Sequence, residues 1–238
     1  MSRRVYVVTG TDTGVGKTVL TTALVRRLIG RDIDVAALKP FCSGGREDAE
    51  AIQQCLGNVL DLDEINPWHY QKALAPALAA SSRKNQPSRR QVFDYLLRFA
   101  NGYSVTLIEG AGGLLSPLTS DLDASTLIAI MGAIPIVVCP NRLGAINQTL
   151  LVVRALPTAA AKKARIVLMN PPRYEPSGKS NARHLRQVLT SSQVLEFPWL
   201  NDSKPSRPGE ISNKRIESLL DAILDLPNPH RSSRQRAG

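Results

Sequence analysis

Two patterns of hydrophobic residues alternate along the chain. The first consists of short, uninterrupted β-branched runs, which are typical of strands buried on both faces of a sheet. These runs are residues 5–9, 34–38, 104–109, 134–139 and 165–170. The second pattern spaces apolar residues three or four apart, at 18–28, 89–99 and 216–224, which predicts amphipathic helices. The alternation predicts an α/β fold with a single doubly wound, mostly parallel sheet and helices on both faces.

The length and composition fit one domain with a sizeable core. The chain has 238 residues, of which 43% are hydrophobic, and we find no internal repeat or mid-chain boundary. We expect a single α/β domain over residues 1–226 and a disordered basic tail over 227–238, where the residues lack apolar spacing. Polar stretches at 81–88 and 173–180 predict surface loops.

Net charge and cysteine usage narrow the class of protein only in part. A net charge of +10 is compatible with a nucleic-acid partner or with a pocket for anionic small molecules. No aromatic residues interleave with the basic ones as a base-stacking surface requires, so we expect no nucleic-acid partner. The chain has neither a long apolar run nor a signal-peptide pattern, which predicts a cytoplasmic protein without membrane contact. The three cysteines lack metal-site spacing and are expected to be reduced thiols.

The strongest chemical motif is a glycine-rich loop at residues 9–18, which follows a predicted strand and opens a predicted helix. It is a deviant phosphate-binding loop, because Thr11 occupies the usual first glycine position and Gly10 lies one residue early. Backbone N–H groups of such a loop turn toward phosphate oxygens, Lys17 reaches the β- and γ-phosphates, and Thr18 ligates Mg²⁺. The motif predicts a P-loop NTPase-like fold and nucleotide binding, but it does not name the reaction.

Two further charged residues stand at the ends of predicted strands. Lys39 follows the second strand, in Leu-Lys-Pro-Phe-Cys-Ser-Gly, and Glu109 ends a later one, in Ile-Glu-Gly-Ala-Gly-Gly. The carboxyl ends of parallel strands meet at one edge of a doubly wound sheet, beside the ligand crevice. We therefore expect Lys39 near the phosphates and Glu109 as a metal ligand; the alternatives are a solvated lysine and an acid that caps a turn.

In order and spacing, five segments resemble the dethiobiotin synthetase family. They are the Gly-Thr-Asp-Thr-x-Val-Gly-Lys-Thr loop, Lys-Pro-x-x-Ser-Gly at 39–44, Asp-Ala at 48–49, Glu-Gly-Ala-Gly-Gly at 109–113 and Leu-Gly-x-Ile-Asn at 143–147. The resemblance extends from residue 5 to about residue 200. It implies an ATP-dependent cyclo-ligase of biotin biosynthesis. In that family a carbamate formed from CO2 (or bicarbonate) and 7,8-diaminopelargonic acid attacks the γ-phosphate, and the mixed anhydride closes to a urea ring.

The resemblance also implies ATP and Mg²⁺ as cofactors and assigns roles to single positions. The groups at the reacting centre would be Lys17, Lys39, Thr13 and Ser43. The metal ligands would be Thr18, Asp48 and Glu109. We choose Asp48 over the neighbouring Glu47 because Ala49 follows it. The nucleotide would contact Gly14, Val15, Gly16, Lys17, Thr18, Val19, Glu109, Gly110, Gly112, Asn170, Pro198, Trp199 and Leu200.

By the same resemblance, the start of a later helix would bind the acid tail of the substrate. Its residues are Leu143, Gly144, Ala145, Ile146 and Asn147, which join Thr13, Lys39 and Ser43 as substrate contacts. In the family this helix start comes from the neighbouring subunit, so a homodimer with shared sites is implied. Its free N–H groups suit a carboxylate, although an ordinary asparagine-bearing helix start has the same sequence.

Some positions have a second interpretation or depart from the family pattern. Asn170 matches an adenine-binding asparagine but also precedes two prolines that can simply end a strand, and Trp199 can be a core residue. Gly14 stands where some members carry an acid. His184 stands near the place of an aromatic residue from the partner subunit, and we expect it on the surface of a basic helix.

Two other classes of protein share the phosphate-loop type. Partition-type ATPases bind DNA and place a second lysine early in the loop, where this chain has Thr11 and Asp12. Cobyrinic-acid amidating synthetases have a similar ATP-binding half but need a glutaminase domain, for which the chain is too short. An ATP-binding relative without turnover also fits the motifs, since activity depends on fine placement of groups.

Overall fold

Eight strands form two parallel sheets in the part of the chain that this computed structural model describes, residues 3–80, 82–173, 176–200 and 213–227. The strands are β1 (Arg4–Gly10), β2 (Val35–Leu38), β3 (Phe41–Ser43), β4 (Trp68–Tyr70), β5 (Val105–Glu109), β6 (Ile134–Pro140), β7 (Arg165–Met169) and β8 (Gln193–Phe197). The main sheet has the order β2-β5-β1-β6-β7-β8, with every neighbouring pair parallel. A short second sheet pairs β3 with β4. The five predicted strands are confirmed.

Helices connect the strands and cover the main sheet. They are α1 (Lys17–Ile29), α2 (Glu47–Cys55), α3 (Leu62–Ile65), α4 (Pro76–Ala79), α5 (Arg89–Gly102), α6 (Ala124–Met131), α7 (Ala145–Ala155), α8 (Thr158–Ala161), α9 (Pro176–Val188) and α10 (Lys214–Ile223), with a short 3-10 helix at Arg83–Asn85. Every residue of β2 and β5 is buried. Successive strand residues point to opposite faces, so both faces are covered, as the doubly wound prediction requires.

Local sequence explains where several helices begin. At α5, the Ser88 hydroxyl accepts the N–H of Gln91, while the Gln91 side chain accepts the N–H of Ser88, which forms a capping box. At α6, Asp123 accepts the N–H of Thr126 over 2.7 Å. The helix α1 has no such side-chain cap, and no acidic residue lies in its first turn. Its first N–H groups are therefore free to meet an anion.

A partly buried ion cluster fastens the last turn of α1 to α10. The Arg27 guanidinium donates two hydrogen bonds of 2.7 Å to the Asp221 carboxylate, and Arg31 donates a third of 2.9 Å. Two parallel N–H···O bonds between an arginine and a carboxylate fix the orientation as well as the distance of the pair. The far end of α1 is thus held against α10.

One sequence-based interpretation needs correction, and one strand of the main sheet was not predicted. The stretch 173–180 was expected to be a surface loop, but α9 begins at Pro176, because proline suits a first helical turn and Ala182 and Leu185 pack into the core. The strand β8 was not predicted, since Gln193 and Glu196 interrupt its apolar run. The predicted tail lies outside the described residues from 228 onward, and Ser81 of the 81–88 stretch lies outside them as well.

The strand order indicates where the ligand crevice lies. The chain runs from β1 outward to β2 on one side and, after β5, continues through β6 to β8 on the other. Ligands of open α/β sheets bind at the carboxyl ends of the strands, beside the point where the order reverses. That point lies at the end of β1, where the glycine-rich loop begins. Among the described residues, no helix has the length and apolar character to cross a bilayer.

Candidate active site

The glycine-rich loop joins β1 to α1 and exposes its backbone at the crevice. Gly16 caps α1 with φ 96°, a conformation that glycine adopts at no steric cost. At Gly10 the reason for glycine is space, because a Cβ atom would lie only 2.6 Å from Cγ2 of Val15. The Val15 side chain is buried in the core, so only its backbone can face a ligand. Residues 10–16 thus form a turn with accessible backbone N–H groups, and this turn ends at the uncapped start of α1.

Lys17 lies beneath this turn with its charge withdrawn from water. The residue is 6% exposed, and Nζ donates to the carbonyl oxygen of Asp12 over 2.9 Å. Burial, followed by repulsion from the Lys39 ammonium, lowers the pKa of Lys17 to about 8. The attraction of an anion bound in the turn would offset both effects. The arrangement suits a bound phosphate group.

Lys39 and Glu109 form a buried ion pair beside the loop. Nζ of Lys39 lies 2.7 Å from Oε1 of Glu109 and 3.0 Å from Oδ2 of Asp48, and it also donates to the carbonyl oxygen of Gly110 over 3.2 Å. Burial alone would lower the pKa of Lys39, but the two carboxylates outweigh it and raise that pKa above the ordinary lysine value. Lys39 is 4% exposed, which excludes a solvated surface lysine.

Thr18 connects the loop to the same carboxylates. Its hydroxyl oxygen lies 2.8 Å from Oδ1 of Asp48 and 2.8 Å from Oε1 of Glu109. A hydroxyl has one proton and can donate to only one of the two oxygens at a time. In addition, Oε2 of Glu109 is buried with no hydrogen-bond partner among the described residues. The structure brings Asp48 into this cluster through Thr18 and Lys39.

These oxygens fit a hard divalent cation. Carboxylate and hydroxyl oxygens are the donors that Mg²⁺ takes from a protein, usually one or two carboxylates together with water and phosphate oxygens. Two carboxylates and a hydroxyl converge here next to the phosphate loop, and one carboxylate oxygen has no other partner. The donor set therefore suits Mg²⁺ held jointly by the protein and a bound nucleotide.

A cavity of about 570 Å³ opens directly in front of this cluster. Thr13 and Ser43 line it, together with Lys17 and Lys39. The Ser43 hydroxyl oxygen is buried and has no hydrogen-bond partner among the described residues, so it is available to a ligand. The far wall, residues 73–76, is mostly apolar and was not anticipated from the sequence. The cavity joins predicted phosphate and substrate contacts in one space.

The predicted substrate-tail segment lies elsewhere in the same chain. Gly144 caps α7 in the left-handed conformation, with φ 92°, and no side chain caps the helix. None of the residues 143–147 is among those that line the cavity of about 570 Å³. Leu143, just before α7, is 83% exposed, and Leu151 within α7 is also exposed. Within one chain, the start of α7 is therefore not part of the site around Lys17.

The residues predicted to contact the nucleotide base lie at the ends of β7 and β8, on the side of the loop opposite to Lys39 and Glu109. Asn170, Pro198 and Trp199 line a second cavity of about 680 Å³, and the partly buried Leu200 packs against the core. Trp199 is 57% exposed, so it is not a core residue. Met169 contacts the loop, because a Cβ on Gly16 would lie 3.1 Å from Cε of Met169. His184 is exposed, as expected.

The fold and the site define a P-loop protein that handles phosphate groups, and a family model described as an AAA domain matches residues 4–207. A protein of Anaeromyxobacter dehalogenans named ATP-dependent dethiobiotin synthetase BioD is 36% identical over 82% of this chain and 90% of its own length. A protein of the same name from Bacillus velezensis is 33% identical over 94% of this chain and 95% of its own length. The chain belongs to the family of ATP-dependent dethiobiotin synthetases, which are ligases.

Solved structures extend the similarity in fold alone. The structure of pNOB8 ParA bound to nonspecific DNA aligns with a TM-score of 0.54 and covers 94% of this chain and 99% of its own. Its sequence identity is 14%, at which a shared fold carries no information about partner or reaction. The likeness confirms the P-loop α/β architecture and adds no support to the partition-type alternative.

Proposed function

We propose that this chain synthesises dethiobiotin. It would carboxylate 7,8-diaminopelargonic acid with CO2 or bicarbonate and close the ureido ring at the expense of ATP, with release of ADP and phosphate. One observation carries the proposal: two buried lysines and a carboxylate pair meet at the boundary between an open phosphate loop and a cavity of about 570 Å³. Such a boundary is where a phosphoryl group passes from a nucleotide to an acceptor.

The loop residues would bind the nucleotide phosphates, and the cavity residues would orient the diamine. The free N–H groups of α1 and the Lys17 ammonium bind the phosphates, and Lys39 neutralises charge that develops on the transferring group. Thr13 and Ser43 orient the diamine and its carbamate in the cavity. The carbamate oxygen forms a bond to the γ-phosphorus as the bond to ADP breaks; the second amine then displaces phosphate from the carbonyl carbon. Burial of both lysines strengthens these interactions, because little water screens them.

Magnesium would be held by Thr18, Asp48 and Glu109. When bound, the ion would neutralise part of the charge on the nucleotide phosphates. Asp48 supports this role, since the neighbouring Lys39 and the Thr18 hydroxyl overcome the effect of burial and keep the pKa of Asp48 below its ordinary value. The carboxylate is thus ionised at neutral pH, as a metal ligand must be.

The base of ATP would lie on the β7–β8 side of the loop. The opposite side is occupied by Lys39, Asp48 and the substrate cavity. Asn170, Pro198 and Trp199 border a separate open cavity, and Met169, which precedes Asn170, lies beside Gly16 of the loop. We assign the base to Asn170 and to residues 198–200. Residues 1–226 would form the single catalytic domain of a cytoplasmic enzyme that acts on small molecules.

A direct assay tests the reaction. Purified protein incubated with MgATP, labelled ¹³C-bicarbonate and 7,8-diaminopelargonic acid should yield dethiobiotin that contains the label, detected by mass spectrometry, and one phosphate for each product molecule. Omission of ATP or of the diamine should abolish both signals. Phosphate release without labelled dethiobiotin would contradict the proposal.

We also propose that the enzyme is a homodimer with shared sites. The start of α7 lies outside the cavity of its own chain. Leu143 just before this helix and Leu151 within it are exposed, as on a surface that a second subunit covers. The variants Lys17→Ala and Asn147→Ala should each be inactive. Unfolded and refolded as a mixture, they should regain part of the wild-type turnover, since a mixed dimer contains one intact site. No regain, or a monomer in sedimentation, would contradict shared sites.

The pKa of Lys17 predicts how ATP binding depends on pH. Triphosphate binding needs the protonated lysine, which the free protein holds only below its pKa of about 8. Above that value, binding must take up a proton, so the association constant should fall by up to ~10-fold for each further pH unit. Lys17→Arg should bind without this decline, because arginine stays protonated. Calorimetric titration with a non-hydrolysable ATP analogue measures both; equal pH profiles would refute the assignment.

A further inference from the structure

Three asparagines, two of them buried, form a hydrogen-bonded row next to the second cavity. Asn181 of α9 donates to Oδ1 of Asn141 over 3.0 Å, and Nδ2 of Asn141 donates to Oδ1 of Asn170 over 2.7 Å. Asn141 and Asn181 are 1% and 4% exposed, whereas Asn170 lines the cavity. The first two asparagines are too buried to touch a ligand in this cavity, so they can influence one there only through Asn170.

Two backbone carbonyls fix the orientation of the amide groups of Asn141 and Asn181. Nδ2 of Asn141 also donates to the carbonyl oxygen of Gly178 over 3.3 Å, and Nδ2 of Asn181 donates to the carbonyl oxygen of Arg142 over 3.0 Å. A carbonyl oxygen only accepts, so neither amide can turn over without placing two oxygens against each other. Asn141 therefore presents a donor, and never an acceptor, to Asn170.

We propose that Asn141 is a positioning residue that fixes the amide of Asn170 and thereby sets the choice of purine. With Oδ1 turned toward Asn141, one lone pair of that oxygen remains free, and Nδ2 has no acceptor among the described residues. An acceptor beside a donor matches the N6 amino group and N7 of adenine, the pair that asparagine reads in two hydrogen bonds. Hypoxanthine, which is the base of ITP, and guanine carry an oxygen in place of the N6 amino group and lose one of these two hydrogen bonds.

The inference rests on the proposed assignment of the base to Asn170 and deepens it. In the wild type, Asn141 holds Oδ1 of Asn170 against position 6 of the purine, so that an oxygen there is repelled. Without Asn141, the Asn170 amide is free to rotate and withdraw its oxygen, which relieves this repulsion for ITP and at the same time weakens the paired hydrogen bonds to adenine. The expected effect of losing Asn141 is thus a loss of discrimination between purines, which a general weakening of the fold would not produce.

The test compares dissociation constants for ATP, ITP and inorganic tripolyphosphate in the presence of Mg²⁺, by calorimetry on the full chain. Wild type should prefer ATP to ITP by roughly 10-fold or more, as expected when a polar site loses a hydrogen-bonding partner. Asn141→Ala should reduce this preference to ~3-fold or less and leave tripolyphosphate binding unchanged, because only the base contact is lost. Asn141→Asp, which presents an acceptor to Asn170, should narrow the preference further.

Asn181→Ala provides the matched control. It removes hydrogen bonds from the same row, but the Gly178 carbonyl still orients Asn141, so the ATP-to-ITP ratio should stay at the wild-type value while the melting temperature falls. An unchanged ratio in Asn141→Ala, an equal shift in Asn181→Ala or a wild-type protein without purine preference would each overturn the proposal. Failure of dethiobiotin synthesis itself would show in the turnover assay and leave these binding ratios measurable.

Discussion

Replacement of Lys17 by alanine abolishes the synthesis of dethiobiotin and leaves the protein folded. The ammonium group is buried at the phosphate loop, where it donates to the carbonyl oxygen of Asp12. Loss of a preorganised charge at the transferring group should lower kcat by ~10³-fold or more. Stability should not fall, because burial and Lys39 already disfavour the charged form of Lys17. Turnover and the urea midpoint measure the two effects.

A lysine on the surface serves as the control for Lys17. Lys163→Ala removes the same charge at an exposed position outside the cavities and should leave kcat unchanged. Full turnover in Lys17→Ala would show that the phosphates bind elsewhere. An unfolded Lys17→Ala protein would contradict the expectation that Lys17 does not stabilise the ligand-free protein.

Replacement of Glu109 by glutamine should damage both activity and stability. It removes a proposed metal ligand and leaves the buried Lys39 with only the half-exposed Asp48 as a charged partner. Loss of one partner of a buried ion pair destabilises a protein by ~3–5 kcal/mol. The activity at saturating Mg²⁺ should fall by ~100-fold or more, which is the loss expected for a group that acts at the transition state. Urea unfolding and turnover at several Mg²⁺ concentrations measure these effects.

A double variant separates the two consequences of losing Glu109. Lys39→Met together with Glu109→Leu replaces the buried pair with apolar side chains of similar volume, which should restore most of the lost stability but none of the activity. The exposed pair Arg90–Asp94 serves as a control, since Asp94→Asn should leave the urea midpoint and turnover unchanged. A single Glu109→Gln variant as stable as wild type would show that the pair is solvated rather than buried.

The sheet was predictable from the sequence except at β8, which is one of its two edges. The inner strands are continuous apolar runs, because helices cover both of their faces, and such runs are recognised without knowledge of their partners. The edge strand β8 carries Gln193 and Glu196, since one side of it meets solvent and α9 rather than the core. The helix α9 was missed for a related reason: its apolar positions, Ala182 and Leu185, are sparse within a polar segment. An element with few apolar positions resembles a loop in sequence.

The site was predictable where its chemistry is local and unpredictable where it depends on contacts across the sheet. The loop and its Lys17 are contiguous in sequence, so position alone indicates their role. Strand ends likewise pointed to Lys39 and Glu109, but their ion pair joins residues 70 positions apart. The row of Asn141, Asn170 and Asn181 was not foreseen, because asparagine after a strand is common and nothing in the sequence pairs three of them.

The ion cluster between α1 and α10 constrains how the protein can respond to its ligands. Arg27 and Arg31 fasten the base of α1 through Asp221, whereas its first turn carries Lys17 and Thr18. A helix anchored at its far end cannot slide or tilt freely when triphosphate arrives. When a triphosphate binds, we therefore expect α1 to keep its position and the glycine-rich turn of residues 10–16 to change its backbone conformation.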